Sequence, residues 1–361
     1  MKIYELLAKV RERQASDLIL KAGSPPLMRI HGELVSIGEE RLGPDAIQGM
    51  AKTIVTESEW QRFAEEMELD LACEVEGAGR FRINMFKQRG SMSVVCRQIV
   101  SEVPTVEVLD LPPAAVDLAL RPRGLVLVTG PAASGKSTTQ AALINHRNSN
   151  EACHIMTVED PIEFIHQDKK GLVNQRQVGR DTLSFTNGLK YVLRQNPDVI
   201  LIGEMRDLET ISMALTAAET GHLAIGTLHT INATQTIDRV INAFPAHQQQ
   251  QIRIQMSANL VGVISQVLVD RKNEAERIAC FEVLLATQAV RNTIREGKTH
   301  QIPQLMETGT KDGMKSMERS LTDLVKKGII SADEAFAKSS RPEVLTQLLD
   351  SQAAPAGAGI F

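Results

Sequence analysis

Apolar residues at Ile3, Leu6, Leu7 and Val10 follow the spacing of one helix face, so the chain opens on an amphipathic helix. Charges interrupt that face, unlike a signal peptide or a membrane span. Extended runs follow at 18–20 and 27–30, separated by the turn Gly23-Ser24-Pro25-Pro26, and His31-Gly32 marks a hairpin turn. A helical stretch carries Ile54, Trp60 and Phe63. Phe81, Ile83 and Met85 then alternate with Arg80, Arg82 and Asn84, the period of a half-buried strand with a basic face. Another β-prone run, 91–99, closes a small α+β unit, and Pro104, Pro112 and Pro113 mark 102–113 as a linker.

Beyond the linker, apolar runs at 125–128, 154–158, 199–202 and 223–228 alternate with helical patterns. That alternation predicts an α/β fold, a mostly parallel sheet covered by helices. After Val261 helical patterns are expected through about Leu349, with SQAAPAGAGIF as a flexible tail. A chain of 361 residues exceeds what one core usually organises. The expected division is 1–101, a linker 102–113, a second domain 114–349 and the tail 350–361.

Composition narrows the function classes. Lys and Arg total 40 against 44 Asp and Glu, a net charge of −4, so no global field recruits nucleic acid or anionic lipid. Cys73, Cys96, Cys153 and Cys280 are scattered without a Cys-x-x-Cys pair, which argues against a disulfide framework or a zinc clamp and for a reduced, cytoplasmic setting.

The chemistry begins at GPAASGKS, Gly130 to Ser137, directly after the apolar run 125–128. A strand, a glycine-rich turn and a helix-prone continuation from Thr138 are the context of a phosphate-binding P-loop. Gly130, Ala133, Ser134, Gly135, Lys136, Ser137 and Thr138 are the candidate nucleotide-binding residues. The two glycines let backbone N–H groups turn inward, Lys136 reaches the β- and γ-phosphates, and the Ser137 hydroxyl is suited to Mg²⁺. In such sheets ligands collect beyond the carboxyl ends of the strands. Glu204, delivered there by the run 199–202, is placed to orient water or the Mg²⁺ shell, with Gly203 where a common Walker B motif has Asp. Glu159, Asp160 and Glu163 around Pro161 form a second acidic set that Mg²⁺ or a nearby Arg would relieve. His222 and His229 bracket the run 223–228, one suited to a position near phosphate and the other to a subunit seam. Six arginines, Arg80, Arg82, Arg97, Arg194, Arg206 and Arg239, are candidates for a cation aimed at the γ-phosphate, and the sequence leaves the choice open.

Taken together, ASDLILKAGSPPLMRIHGEL, the P-loop, TVEDPIEFIH, NPDVILIGEMRDLET, TGHLAIGTLHT and AVRNTIREGKTHQIPQL resemble the PilT-like type IV pilus retraction ATPases of the secretion ATPase superfamily, over nearly the whole chain. The resemblance implies a PAS-like N-terminal domain joined to a RecA-like ATPase domain, ATP and Mg²⁺ as cofactors, and a homo-hexameric ring. It further implies a cytoplasmic protein peripheral to the inner membrane through a pilus platform protein, with a paralogous PilU-like retraction ATPase as a further partner and no nucleic acid. By that likeness Glu204 is the Walker B acid, Glu159 and Glu163 belong to the acidic box, and His222 and His229 to the histidine box. An accessory PilU-like motor, a pilus assembly or type II secretion ATPase, and a nucleotide sensor that hardly hydrolyses are the other readings. Two departures stand out. Such loops usually read GPTGSGKS, so an inner glycine of positive φ in the family would oblige Ala133 to tolerate that region. The signature AIRNLIRE is AVRNTIRE here, and Thr293 sets a hydroxyl on a presumed apolar helix face, where it is expected to weaken packing.

Overall fold

A computed structural model describes residues 2–30, 32–99, 102–272 and 276–350, so the expectations for His31 and for the tail at 351–361 lie outside the described residues. The chain forms two compact units: residues 1–102 with the short segment 161–165, and residues 103–160 with 166–361.

In the first unit six antiparallel strands, β1 (Asp17–Lys21), β2 (Leu27–Ile30), β3 (Glu33–Ser36), β4 (Glu68–Val75), β5 (Gly79–Gln88) and β6 (Ser91–Ile99), lie in the order β3-β2-β1-β6-β5-β4. Alternation along β5 buries Phe81, Ile83 and Met85 and exposes Arg82 and Asn84. Ile3, Leu6, Leu7 and Val10 of the helix Ile3–Glu12 join the same core. The helical stretch expected around Trp60 resolves into two helices, Pro44–Lys52 and Glu57–Glu66, with Ile54 between them. Thr56 starts the second with a reciprocal cap: it accepts from the Glu59 N–H at 3.3 Å, while its own N–H donates to the Glu59 carboxylate at 2.8 Å.

The second unit is an α/β layer structure on a seven-stranded sheet. Its strands are β7 (Gly124–Thr129), β8 (His154–Glu159), β9 (Leu172–Gln177), β10 (Val199–Ile202), β11 (Leu223–Leu228), β12 (Leu260–Asp270) and β13 (Arg277–Leu285), in the order β13-β12-β7-β11-β10-β8-β9. All neighbours are parallel except β12 and β13. Every residue of β7, β10 and β11 is buried, as a sheet covered on both faces requires.

One expectation is corrected here. The stretch after Val261 is not mainly helical at its start, because residues 260–270 and 277–285 form an antiparallel pair. LVGVISQVLVD is a β-branched apolar run too short of polar residues to show either period, and a buried strand reads that way. Helices take over only from Gln288–Arg295 onward. The hydroxyl of Thr293 also costs that helix little: it donates back to the Ala289 carbonyl at 2.9 Å while Val290 and Ile294 stay fully buried. No described helix is long and apolar enough to cross a membrane.

Candidate functional site

Parallel strands bring their carboxyl ends to one edge, and the second unit gathers its polar residues there. Leaving β7, the chain turns at Gly130 (φ 151°), where a Cβ would lie 2.3 Å from the Gln266 carbonyl oxygen. Ala133 holds φ 59°, the left-handed region that costs a residue with a Cβ about 1–2 kcal/mol. Gly135, at φ 86°, caps the helix Lys136–Asn150. That helix starts two residues before the expected Thr138, because the left-handed turn at Gly135 already points Lys136 into its first turn. The first-turn N–H groups and the dipole of this 15-residue helix make an anion cradle, with Ser137 and Thr138 in its first turn.

Lys136 is almost fully buried and folds back over the loop, its Nζ donating to the carbonyls of Gly130 (2.9 Å) and Pro131 (2.8 Å). The same Nζ lies 3.4 Å from His229 Nδ1, and His229 Nε2 lies 2.7 Å from Glu204 Oε1. These contacts fix the tautomer. A carboxylate only accepts, so Nε2 carries the proton, and Nδ1 is left to accept from the lysine. The imidazole therefore bridges the phosphate-loop cation and the carboxylate delivered by β10.

Glu204 also accepts from Arg206 Nε at 2.6 Å. Burial alone pushes its carboxyl up, but the hydrogen bonds from Arg206 and His229, with the Arg206 charge, outweigh that and hold it below the usual carboxylate range. Glu204, Arg206, His229 and Arg239 line a cavity of about 350 Å³. Gly203, in the slot where an Asp is common, has a steric reason: a Cβ there would come within 3.1 Å of Glu159 Cα and 3.2 Å of the Val158 oxygen. Glu159 ends β8 beside it and accepts from Thr157 Oγ1 (2.6 Å) and Gln175 Nε2 (3.2 Å).

The other predicted site residues lie elsewhere. His222 precedes β11 at the far edge of the sheet, with Nδ1 near the Ala217 carbonyl (3.0 Å) and Thr220 Oγ1 (3.1 Å). Arg194 precedes β10 and lies on that far edge too. Glu163 falls in the segment 161–165 of the first unit. Arg80, Arg82 and Arg97 are engaged inside the first unit: Arg80 Nε donates to the Ile162 carbonyl (3.0 Å), Arg82 pairs with Asp70, and Arg97 Nε donates to the buried Asp17 (2.8 Å).

Sequence reasoning missed the floor of the loop. Gln266 on β12 donates from Nε2 to the Ser134 carbonyl at 2.6 Å, and its neighbour Ser265 accepts from Thr129 Oγ1 at 2.9 Å. Thr129 also meets Thr236 (3.4 Å), which meets Thr230 (2.7 Å), so hydroxyls link the loop strand, β12 and the helix Ala233–Asn242. The only available signal was a polar Ser-Gln pair inside an apolar run.

Hard oxygen donors suit Mg²⁺, and the Ser137 hydroxyl and the carboxylates of Glu204 and Glu159 follow or close strands that end at this edge, a chemistry that would fit a largely hydrated, phosphate-bound ion; among the described residues no three His, Cys, Asp or Glu cluster to hold a metal by themselves.

Comparison with known proteins agrees with this layout. The family model described as type II/IV secretion system protein matches residues 61–337. The chain is 46% identical to the type IV pilus retraction ATPase PilT of Pseudomonas aeruginosa over 343 residues, covering 95% of this chain and 99% of that protein. The type IV pilus ATPase PilU of the same organism is 41% identical over 337 residues, covering 93% and 88%. Among solved structures, the pilus retraction motor PilT with bound ADP superposes with a TM-score of 0.90 at 42% identity, covering 96% of this chain and 99% of that one. A mostly parallel sheet with a P-loop, a carboxylate two strands away and an imidazole from the strand between them thus sits in a chain that belongs to the type II/IV secretion system protein family, in its branch of pilus retraction ATPases.

Proposed function

We propose that this chain is a motor ATPase that couples ATP hydrolysis to type IV pilus retraction, the activity behind twitching motility. The observation that carries the reading is the Lys136–His229–Glu204 chain at the mouth of the phosphate loop. When phosphates enter, Lys136 exchanges the Gly130 and Pro131 carbonyls for them, and Glu204, kept ionised by Arg206 and by the hydrogen bond from His229, orients the attacking water. His229 keeps Glu204 turned toward the loop, and Glu159 lies ready on the adjoining strand. The Ser137 hydroxyl and water would hold Mg²⁺, which would supply positive charge against the phosphates. Arg206 and Arg239 supply positive charge from the same chain, while Arg80, Arg82 and Arg97 are the candidates for delivery by another subunit of a homo-hexamer. His222 and Arg194, at the opposite sheet edge, suit the seam between subunits, and Glu163 completes the acidic box.

In this reading residues 1–101 are the PAS-like domain, 102–113 the linker and 114–349 the RecA-like domain, and hydrolysis moves one domain against the other. The motor works on the cytoplasmic side of the inner membrane, held there by a pilus platform protein. A second reading, an accessory PilU-like motor, is favoured by Ala133 at a position whose positive φ suits glycine.

Steady-state hydrolysis tests the chemistry. We expect Mg²⁺-dependent turnover that Glu204→Gln and Lys136→Ala each reduce by about 10²-fold or more. Undiminished turnover in Glu204→Gln would remove that residue from the mechanism.

A further inference from the structure

We propose that Gln266 is a positioning residue of the phosphate loop: its carboxamide, reaching over from β12, holds the Ser134 carbonyl and so keeps Ala133 in its left-handed conformation. The proposal rests on the nucleotide-binding reading of the loop and goes beyond it by assigning the element that shapes the loop.

Three observations converge. The first is the hydrogen bond itself. Ser134 O only accepts, so the atom 2.6 Å away must be the amide nitrogen of Gln266, and the orientation of the carboxamide is settled by chemistry. The side chain is 1% exposed, and its Oε1 is buried without a hydrogen-bond partner. An apolar residue at this position would avoid that orphaned acceptor, so the amide is kept for its donor.

The second is fit. The loop is wrapped on this one residue: a Cβ at Gly130 would lie 2.3 Å from the Gln266 carbonyl oxygen, and one at Gly135 would lie 3.1 Å from Gln266 Nε2. The Gly130 contact is with the backbone at position 266 and the Gly135 contact with the carboxamide itself, so β12 leaves little room for a side chain at either glycine.

The third is need. Ala133 at φ 59° sits in a region disfavoured by its Cβ, and the local bond that could hold the turn, Ser134 N–H to Pro131 O, is long at 3.3 Å. Without an outside anchor the peptide after Ala133 would relax toward a negative φ, turning N–H groups away from the cradle. The Gln266 donor fixes the next carbonyl in line and removes that freedom.

The test is a double-mutant cycle between positions 133 and 266, read by the affinity of a fluorescent ADP analogue, by KM and kcat for ATP, and by Tm. Gln266→Met keeps the length and removes the donor. Gln266→Asn keeps an amide that falls short of Ser134, and it serves equally should the first variant fail to fold. Each is expected to weaken ADP binding and raise KM about tenfold, with kcat changed far less. In an Ala133→Gly background, where the turn is no longer strained, the loss caused by either Gln266 variant, measured against Ala133→Gly alone, should shrink to a small fraction of its size in the wild-type background. Affinity equal to wild type in both Gln266 variants, or a loss that Ala133→Gly leaves at full size, overturns the proposal. Wild-type protein that binds no analogue would sink the nucleotide reading and this inference together, which is distinguishable from tight binding shared by every variant.

Discussion

Glu204 receives two donors on one oxygen, Arg206 Nε at 2.6 Å and His229 Nε2 at 2.7 Å, and these hydrogen bonds, with the Arg206 charge, hold its carboxyl below the usual carboxylate range. The depressed folded value means that the charged, water-orienting form persists below the ordinary carboxylate range and is lost only as pH falls through that lowered value. Arg206→Ala removes the stronger of the two partners, so the acid limb of the pH–kcat profile is expected to move to higher pH. A limb that stays in place would show that Arg206 does not tune this carboxylate. At Ala133 the backbone runs against side-chain preference, and Ala133→Gly is expected to raise stability by about 0.5–1 kcal/mol, the relieved strain less the added chain entropy. Thermal unfolding of the second unit reads that gain as about 1–4 °C. Residue identity announced most of this site: the spacing of Gly130, Gly135, Lys136 and Ser137 and an acid after an apolar run were visible as sequence. The partner of each group was not, because Gln266 lies 132 residues from the Ser134 it holds and His229 lies 93 from Lys136.

At the scale of elements, the apolar runs that became β7, β8, β10 and β11 were readable because each is short, continuous and bounded by turns. β12 and β13 were not, since an 11-residue apolar strand and a helix face of similar length carry the same composition. Long side chains knit the elements around this strand pair. Arg291 donates to three carbonyls, Ala286 (2.9 Å), Ser257 (2.7 Å) and Ala258 (2.6 Å), and so caps the helix Gln249–Asn259 from the helix Gln288–Arg295. Arg291→Ala should destabilise the second unit by about 2–3 kcal/mol, whereas Arg291→Lys, lacking the planar fork, should recover only part, as denaturant midpoints would show. Glu282 on β13 accepts the Ala233 N–H at 2.7 Å, at the start of the helix that carries Arg239. Burial pushes its carboxyl up to about 7, with the neighbouring Glu318 adding to the rise and the Ala233 N–H and Arg341 opposing it. A folded value above the unfolded one makes the stabilising contribution complete below the unfolded value and lost as pH climbs through 7. Glu282→Gln keeps the acceptor and abolishes the titration, so it should flatten the fall in stability between pH 5 and 8, a difference of at most about 3 kcal/mol. An unchanged slope in the variant would place the titration on another group.

For the molecule as a whole, the retraction reading makes a cellular prediction. A deletion strain should keep its surface pili and lose twitching, because fibres that are still assembled are no longer withdrawn; bald cells would point to an assembly motor instead. Native mass measurement with and without nucleotide is expected to show a six-subunit species. The course of the chain limits how such a machine can be taken apart. Residues 161–165 are lodged with residues 1–102, although the polypeptide on either side of them, Glu159 included, belongs to the other body. The two bodies are therefore stitched by three covalent crossings, after 102, 160 and 165, and no single cut yields two intact halves. A fragment stopped at 102 would lack the Ile162 carbonyl that Arg80 Nε grips, and a fragment begun at 103 would carry a dangling loop, Glu163 at its middle, with nothing to nest in.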